Sequence, residues 1–348
     1  MKENKIERFD EQKANEKELQ AYYDFFSEIL KEAHPDDPPR PYEKFKKQIL
    51  NYSDSTKINR WVIWENGVII SYAIMYLQLE GENLDQTDVD IFVRKKWRRK
   101  GTGMILLRKL YEESINENCS IMNFSTLSTM PSGIAFLQKI NARLGSTEHI
   151  NQLKIEDIDM DLMNEWIKKV KERASNYELE LWRDGFPDDK IASFVKLYND
   201  FWNSVPLDDL EYKPENISSQ KLKNGMDANV RKGWKSWLLV AIHKTTKEPV
   251  GFTHMIYTGF NKELINQDDT GVAQEYRNKG LGRWLKAVMI KLIIKELLEI
   301  KTVRSENAVS NKPMLNINFE MGFKPYYSES YWQIKVEKIK KYLDSLVS

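Results

Sequence analysis

Cysteine and histidine are scarce in this sequence, and their scarcity excludes several kinds of site. The only cysteine is Cys119, so the chain has no intrachain disulfide framework and no cysteine-rich metal site. The four histidines, His34, His149, His243 and His254, are nowhere spaced like zinc ligands. We therefore expect no metal centre.

The sequence also lacks an excess of either charge and a long apolar run. Lys and Arg number 53 and Asp and Glu number 52, and the net charge of +1 argues against a dedicated nucleic-acid binder. The first twenty residues are charged throughout, which excludes a secretory signal, and no apolar run approaches the ~18 residues of a membrane span. These features predict a soluble, cytoplasmic protein with no membrane partner.

One short motif occurs twice in the 348 residues, a length that favours two domains. R-x-x-G-x-G stands at 98–103 and again at 277–282. Each copy follows a strand-like segment, at 89–93 and 271–273, and runs into an apolar helical segment. The copies begin 277 − 98 = 179 residues apart, close to half the chain, which indicates a duplicated unit.

Hydrophobic periodicity predicts the same order of elements in both halves: two helices, a hairpin, a strand, the motif and a helix. In the first half these are helices at 19–32 and 42–51 and strands at 61–64, 68–79 and 88–93. In the second half they are helices at 189–203 and 220–232 and strands at 237–243, 250–257 and 269–273. An amphipathic helix at 158–174 lies between them, and we place the boundary near Ser175, with domains at 1–174 and 175–348.

A glycine turn that opens a helix can bind an anion. The first N–H groups of a helix lack intrahelical partners, its N-terminus carries partial positive charge, and glycine lets a phosphate approach the backbone. Basic residues surround both turns: Arg98, Arg99 and Lys100 in the first, Arg277, Lys279 and Arg283 in the second. One such turn alone is more often a simple connection, but two copies in matching contexts favour phosphate binding.

Neither copy is a P-loop or a dinucleotide-binding motif, since the required glycine spacings are absent. R-x-x-G-x-G after a helix pair and a hairpin resembles the pyrophosphate loop of the GNAT superfamily of acyl-CoA-dependent N-acetyltransferases. Segment 311–323, from Asn311 to Gly322-Phe323, is similar to a later helix of that family. Segment 132–142 resembles the same helix with Asn141-Ala142 in place of Gly-Phe, and asparagine tolerates the left-handed conformation that the helix end needs.

The resemblance implies an α/β fold of the α+β kind, with a mixed, mostly antiparallel sheet flanked by helices, in two tandem GNAT-like domains. It implies acetyl-CoA as the cofactor, with pantetheine inserted between splayed fourth and fifth strands. Carried onto this sequence, the cofactor-binding residues of the second half are Gly271, Val272, Ala273, Arg277, Asn278, Lys279, Gly280, Leu281, Gly282, Arg283 and Asn311. Those of the first half are Phe92, Val93, Arg98, Arg99, Lys100, Gly101, Thr102 and Gly103.

The implied reaction is direct attack by a primary amine on the acyl-CoA thioester, which requires a base because the amine is mostly protonated at neutral pH. Asp268 and Asp269 stand where family members often have a carboxylate base, and strand alternation lets at most one of them face the cleft. His254, on the predicted return strand, is a second candidate. For all three, a purely structural role is the alternative.

The general acid common in the family is missing. It is a tyrosine four residues before Gly-Phe, and Asn318 occupies that position here, with no titratable proton to donate. Tyr326 could substitute for it, although tyrosines that follow a helix are more often packing residues. The second domain, with the fuller motifs, is expected to be catalytic, and the first is expected to bind cofactor or to be structural.

The leading hypothesis is therefore an N-acetyltransferase for an amine of a small molecule or peptide. One alternative is an enzyme in which both domains, or only the first, are active. Another is a non-catalytic CoA-binding sensor, which the asparagine at 318 favours. Segment 207–233 is the expected acceptor wall, and the protein is expected to be a monomer or homodimer.

Overall fold

The computed structural model describes residues 5–173 and 175–346, which fall into two compact units. Unit 1 comprises Met1–Thr147, Leu207–Lys213 and Glu329–Ser348, and unit 2 comprises Glu148–Pro206 and Pro214–Ser328. The units are thus not two consecutive halves of the chain. The boundary predicted after residue 174 falls at Ala174, which lies outside the described residues.

The first third of the chain builds most of unit 1. Its elements are β1 (Ile6–Arg8), α1 (Glu16–Ala33), α2 (Tyr42–Leu50), β2 (Thr56–Glu65), β3 (Val68–Gln78), β4 (Gln86–Val93), α3 (Thr102–Asn116), β5 (Ile121–Leu127) and α4 (Pro131–Lys139). A capping box starts α1, in which Asn15 accepts from backbone N–H groups and Glu18 accepts from the Asn15 N–H. The predicted helices and hairpin are confirmed, whereas β1 and β5 had not been predicted.

The remaining elements follow in chain order. They are β6 (Arg143–Lys154), α5 (Met160–Arg173), β7 (Tyr177–Arg183), α6 (Ile191–Trp202), α7 (Ser219–Arg231), β8 (Lys235–His243), β9 (Pro249–Tyr257), β10 (Leu264–Val272), α8 (Leu281–Glu296), β11 (Thr302–Ala308), α9 (Lys312–Met321), β12 (Lys324–Lys335) and α10 (Val336–Asp344). The predicted helices and strands of the second half are again found, whereas β6 and β7 had not been predicted. Within residues 5–173 and 175–346, no helix combines the length and apolarity that crossing a membrane requires.

The sheet of unit 1 has the strand order β1-β2-β3-β4-β5-β12. Its pairs are antiparallel except for β4 with β5. The strand next to β5 comes from the far end of the chain, because Glu329 to Lys335 of β12 pair with Leu127 to Ile121. Helix α10 then packs its apolar face into the same core as α3.

The sheet of unit 2 has the order β6-β11-β10-β9-β8-β7, with β6 entering from Glu148. Here β10 and β11 are parallel and the other pairs antiparallel. One face packs against α5 and α8 around Trp166, Leu285 and Ile290. The other face packs against α6 around Phe194 and Phe252. The predicted mixed, mostly antiparallel sheet flanked by helices is confirmed.

Both units open a fork between their parallel strands. Pairing of β4 with β5 runs from Gln86 to Asp88, although β4 continues to Val93. Pairing of β10 with β11 runs from Leu264 to Gln267, although β10 continues for five more residues. The divergence that the resemblance implied is therefore present in each unit, and it leaves backbone groups along one edge of β4 and of β10 outside the ladder.

Candidate functional site

The two R-x-x-G-x-G turns have the same backbone conformation. In each, a single 3₁₀ turn follows the strand, and the next residues reverse the chain. The angle φ is +62° at both Arg99 and Asn278, and it is +87° at Gly101 and +85° at Gly280. Because the left-handed region favours glycine, this geometry accounts for the first glycine of each motif.

The glycine turns leave the helix starts that follow them uncapped. Gly101 and Gly280 are the N-cap residues of α3 and α8, and neither helix has a side-chain cap within the described residues. A Cβ added to Gly282 would find its nearest atom, Ile317 Cδ1, at 3.7 Å, an ordinary contact. The first N–H groups of α8 are thus available to a phosphate, so the turn fits the pyrophosphate of an acyl-CoA.

The arginine that starts each motif tethers the turn to its strand. Arg98 Nε donates to Val93 O and Arg277 Nε donates to Val272 O, each at 2.9 Å. These hydrogen bonds give both arginines a positioning role, and their predicted contact with an anion stays a prediction.

The Nη atoms of the two arginines have different partners. Arg98 donates twice to Glu32, at 2.7 and 2.6 Å, and this hydrogen bond holds the pKa of Glu32 below its ordinary value. Arg277 Nη2 donates to the hydroxyl of Ser204 at 3.1 Å, which leaves its charge unneutralised by that partner. Of these two arginines, Arg98 is thus the one that is paired with a carboxylate among the described contacts.

Other predicted cofactor residues have structural contacts as well. Lys279 lies over the ring of Tyr276 at 4.9 Å, and Arg283 forms a two-point ion pair with Glu320 at 2.9 and 2.7 Å. Asn311 caps α9 by accepting from the Met314 N–H. The remaining members lie in or beside the cores and turns described above: Phe92, Lys100, Thr102, Gly103, Gly271, Ala273 and Leu281.

A β-bulge in β10 brings two carboxylates to one place. Against β9, Gln267 stands opposite Met255 and Thr270 opposite Thr253, so Asp268 and Asp269 both face the single residue His254. Strict alternation had suggested that at most one aspartate could face the cleft. The extra residue of the bulge breaks that alternation and turns both carboxylates toward the α6 side.

The histidine at the bulge is held on both sides. His254 Nδ1 lies 2.8 Å from Asp268 Oδ2, and Nε2 lies 2.5 Å from the hydroxyl of the buried Ser236. These two contacts fix the imidazole plane. Ser236 on β8 had not been singled out, since nothing local in the sequence marks a serine that faces a histidine eighteen residues later.

Asp269 is a carboxyl group with a strongly shifted pKa. Burial and the neighbouring charge of Asp268 raise the pKa of Asp269 to about 7, while His254 and a hydrogen bond from the Tyr198 hydroxyl, at 3.1 Å, oppose the rise. Burial also raises the pKa of Tyr198 well above 10, so its hydroxyl stays protonated and donates. Sequence reasoning missed Tyr198, which reads as an ordinary apolar position of α6.

A pocket of about 200 Å³ lies beside these groups, between α6, α7 and strands β8 to β10. Its wall is mostly apolar, and Asp268 and His254 supply polar groups on one side. Helix α7, part of the segment expected to form an acceptor wall, lines this pocket, whereas Leu207–Lys213 of the same segment belong to unit 1.

Asn318, which occupies the position of the missing general acid, and its suggested substitute Tyr326 lie elsewhere in unit 2. Asn318 is fully buried in α9 and donates to Asn307 Oδ1 at 2.6 Å. Tyr326 packs against Tyr327 and below Arg304, whose guanidinium carbon is 5.4 Å from its ring centre. Neither is among the described residues that line the pocket. The structure thus groups Asp268, Asp269 and His254 and leaves Asn318 and Tyr326 apart.

The corresponding strand of unit 1 is built differently. β4 pairs with β3 in a regular register, and Ile74 stands opposite Asp90. Burial, with the charges of Asp88 and Glu329, raises the pKa of Asp90 to about 7. Unit 1 thus keeps a carboxyl of similar character, but within its described residues it has neither the bulge nor a histidine facing it.

Comparison with known proteins agrees with this geometry. Residues 19–141 match the sequence profile described as the acetyltransferase (GNAT) family, a span that includes the first R-x-x-G-x-G. Residues 19–141 are therefore similar to a GNAT acetyltransferase domain. No curated protein sequence matches the chain significantly.

Solved GNAT structures resemble the chain over nearly its whole length. A tandem GNAT protein from the clavulanic acid biosynthesis pathway has a TM-score of 0.76 at 18% identity, over 95% of this chain and 98% of its own. A GCN5-related N-acetyltransferase from Sphaerobacter thermophilus has 0.65 at 11% identity, over 95% of each chain. A glucosamine N-acetyltransferase region of a fungal multi-domain β-N-acetylglucosaminidase has 0.66 at 12%, over 95% of this chain and 38% of its own. At these identities the likeness establishes the fold, which is a two-domain, GNAT-like one.

Proposed function

We propose that the protein is an acyl-CoA-dependent N-acyltransferase that moves an acetyl group from acetyl-CoA to a primary amine of a small molecule or peptide, by direct attack in a ternary complex. Unit 2 is the proposed catalytic unit. The observation that carries the proposal is the bulge in β10, which sets Asp268, Asp269 and His254 beside the open fork and the pocket.

The residues of unit 2 suit an acyl-CoA. The N–H groups that open α8 after Gly280 would hold the pyrophosphate, and the free edge of β10 from Gly271 to Val272 would pair with the amide groups of the pantetheine arm. Acyl-CoA is the substrate that supplies an activated thioester.

The side chains at the bulge suit the removal of a proton from an ammonium group. Asp268 attracts the cation, and Asp269, with a pKa near 7, is ionised in a large fraction of molecules at neutral pH and accepts the proton. Tyr198 holds that carboxylate in place. Asn318 offers no proton to the departing thiolate, whose protonation is left to solvent, since a thiol has a pKa near 8.5.

Two differences favour unit 2 over unit 1 as the working site. The arginine of the first turn is neutralised by Glu32, and Ile74 replaces the histidine that faces the aspartates in unit 2. If both units were active, unit 1 would have to work without these features.

Calorimetric titration with acetyl-CoA and with CoA tests the proposal. Gly282→Glu is the informative variant, because the position has space for a Cβ and a carboxylate in the first turn of a helix is well tolerated, yet it repels a pyrophosphate there. We expect one site in the wild type, lost in Gly282→Glu and kept in the matched variant Gly103→Glu. Two sites would support activity in both domains, and no binding at all would overturn the proposal.

A non-catalytic CoA sensor is the second candidate, and Asn318 at the tyrosine position favours it. The enzyme and the sensor differ in whether bound acetyl-CoA is turned over. Release of CoA thiol, followed with a chromogenic disulfide across a panel of amines, supports the enzyme. Tight binding of acetyl-CoA with no release above the solvent rate for any amine supports the sensor.

A further inference from the structure

The pocket beside the bulge has a composition that selects one class of acceptor. We propose that it binds the acceptor of the reaction as a small primary amine attached to an apolar, preferably aromatic, body. This inference rests on the proposed function and narrows it.

Charge at the bulge end of the pocket suits an ammonium group. The Asp268 side chain is 46% exposed, and Asp268 is the only acidic residue among the described residues that line the pocket. His254 beside it is occupied by Asp268 and Ser236, so the imidazole orients the carboxylate rather than competing for the ligand. An ammonium group placed there combines a hydrogen bond to the carboxylate with the attraction of opposite charges, which an acidic or neutral acceptor cannot do.

The apolar wall of the pocket suits an apolar body. Phe186, Phe194 and Phe252 form a row of rings, with centroids 5.6 Å apart for the first pair and 5.3 Å for the second. Leu222 and Met226 add apolar surface from α7. Ring-to-ring contacts add to the stabilisation from ordinary apolar burial, which favours an aromatic ligand.

The same wall disfavours acceptors rich in hydroxyl groups. Tyr198 already donates to Asp269, so its hydroxyl has no second proton to donate to a ligand. A sugar amine would bury several hydroxyl groups against phenylalanine, and burying a hydroxyl group without a hydrogen-bond partner is unfavourable. Besides Tyr198, His254 and Asp268, the polar side chains among the described residues that line the pocket are Lys221 and Asn229 of α7, and they offer partners to few such groups.

Size is the third constraint. A volume of about 200 Å³ is at or below the small end of ligand pockets, which span roughly 300–1,000 Å³. The pocket therefore accommodates a single ring or a short chain with its amine. A peptide could enter with one residue only.

A panel of amines tests the assignment with acetyl-CoA as donor and CoA release as the readout. We expect kcat/KM for 2-phenylethylamine and benzylamine to exceed that for glucosamine and spermidine by at least tenfold, chiefly through KM. Equal or better use of glucosamine or spermidine would overturn the assignment.

Gly225 offers a way to fill the pocket without disturbing the core. It lines the pocket from within α7, and a Cβ there would have no heavy atom within 4 Å. A side chain at this helical position also removes the destabilising effect of glycine. We expect Gly225→Phe to weaken binding of 2-phenylethylamine at least tenfold and to leave acetyl-CoA affinity unchanged. Val230→Phe, at a 45% exposed position of the same helix, is the matched control and should change neither.

Direct titration separates failure of this inference from failure of the proposed function. Saturable binding of 2-phenylethylamine, in the presence or absence of CoA, that Gly225→Phe and Asp268→Asn both weaken supports the pocket even without turnover. If acetyl-CoA binds and 2-phenylethylamine does not saturate, or binds equally well to Gly225→Phe, the pocket is not the acceptor site and the proposed function is unaffected.

Discussion

The hydroxyl of Tyr198 donates a hydrogen bond of 3.1 Å to Oδ2 of Asp269. The tyrosine comes from α6 and the aspartate from the bulge of β10, so this contact joins the pocket wall to the proposed base. It acts against burial and against the charge of Asp268, which together raise the pKa of Asp269 to about 7. Small changes at either residue should therefore move the pH dependence of the reaction.

The rate should depend on pH through Asp269. Because the carboxylate is the active form, kcat/KM should rise with pH through about 7 and level off above it. Asp269→Asn should lower kcat by about 10²-fold or more and remove this rising limb of the pH–rate profile. Rates measured from pH 5.5 to 9 at saturating acetyl-CoA check both points. An unchanged limb in Asp269→Asn would assign the titration to another group, with His254 the next candidate.

Tyr198→Phe should move the same limb to higher pH. The substitution removes a hydrogen bond that stabilises the ionised carboxylate, so the pKa of Asp269 should rise further. The phenyl ring keeps the contacts of Tyr198 with Phe194 and Phe252, whose centroids lie 6.0 and 5.8 Å away, and folding should be preserved. A limb that moves toward lower pH would contradict this account.

Asp269 should also cost the protein stability above neutral pH. Its folded-state pKa of about 7 exceeds the ordinary value of 3.8, so the folded state binds the proton more tightly than the unfolded chain does. The stabilising contribution is full below pH 3.8 and is lost as pH rises through 7. Asp269→Asn should therefore be more stable than the wild type at pH 8, by about 1–2 kcal/mol, and nearly equal to it at pH 4. Urea unfolding at the two pH values measures the difference, and a destabilised variant at pH 8 would refute it.

Comparison of the repeats singles out Lys286, which is 1% exposed in α8 and lies 5.9 Å from the ring centre of Phe323. The same position after the first motif is Leu107, also fully buried. Burial lowers the pKa of Lys286 from 10.5 to about 7, so its stability contribution improves as pH rises from 7 to 10.5. Lys286→Leu should stabilise unit 2 at pH 6 and flatten this pH dependence. Thermal unfolding at pH 6 and pH 9 tests it, and an equal or lower melting temperature at pH 6 would contradict it.

Features that depend on neighbouring residues were predicted from the sequence more fully than features that depend on contacts between distant residues. The glycine turns, the helices around them and the hairpins follow from periodicity and from the conformations that Gly101 and Gly280 permit. The fork followed from a family resemblance. The bulge at Asp268 did not, because its one extra residue is defined only against the register of β9. The contacts of Tyr198 and Ser236 likewise depend on which elements meet across 71 and 18 residues.

The sequence also did not predict that the C-terminal residues Glu329–Ser348 belong to unit 1 with the start of the chain, and this feature leads to the last prediction. On the side of β5 away from β4, residues 329–335 of β12 complete the sheet of unit 1, and α10 then closes the core. Ile339 of α10 is 0% exposed in that core. Ile339→Ala should therefore destabilise unit 1 by about 2–4 kcal/mol, although it lies at the opposite end of the chain from most of that unit.

Hydrogen exchange separates the two units in this experiment. Amides of β2 and β3 in unit 1 should lose protection in Ile339→Ala, while those of β8 and β9 in unit 2 keep theirs. Lys340→Ala, the exposed neighbour on the same helix, is the control and should leave both unchanged. If protection fell in β8 and β9 and held in β2 and β3, α10 would belong energetically to unit 2, and the composition of the two units would have to be redrawn.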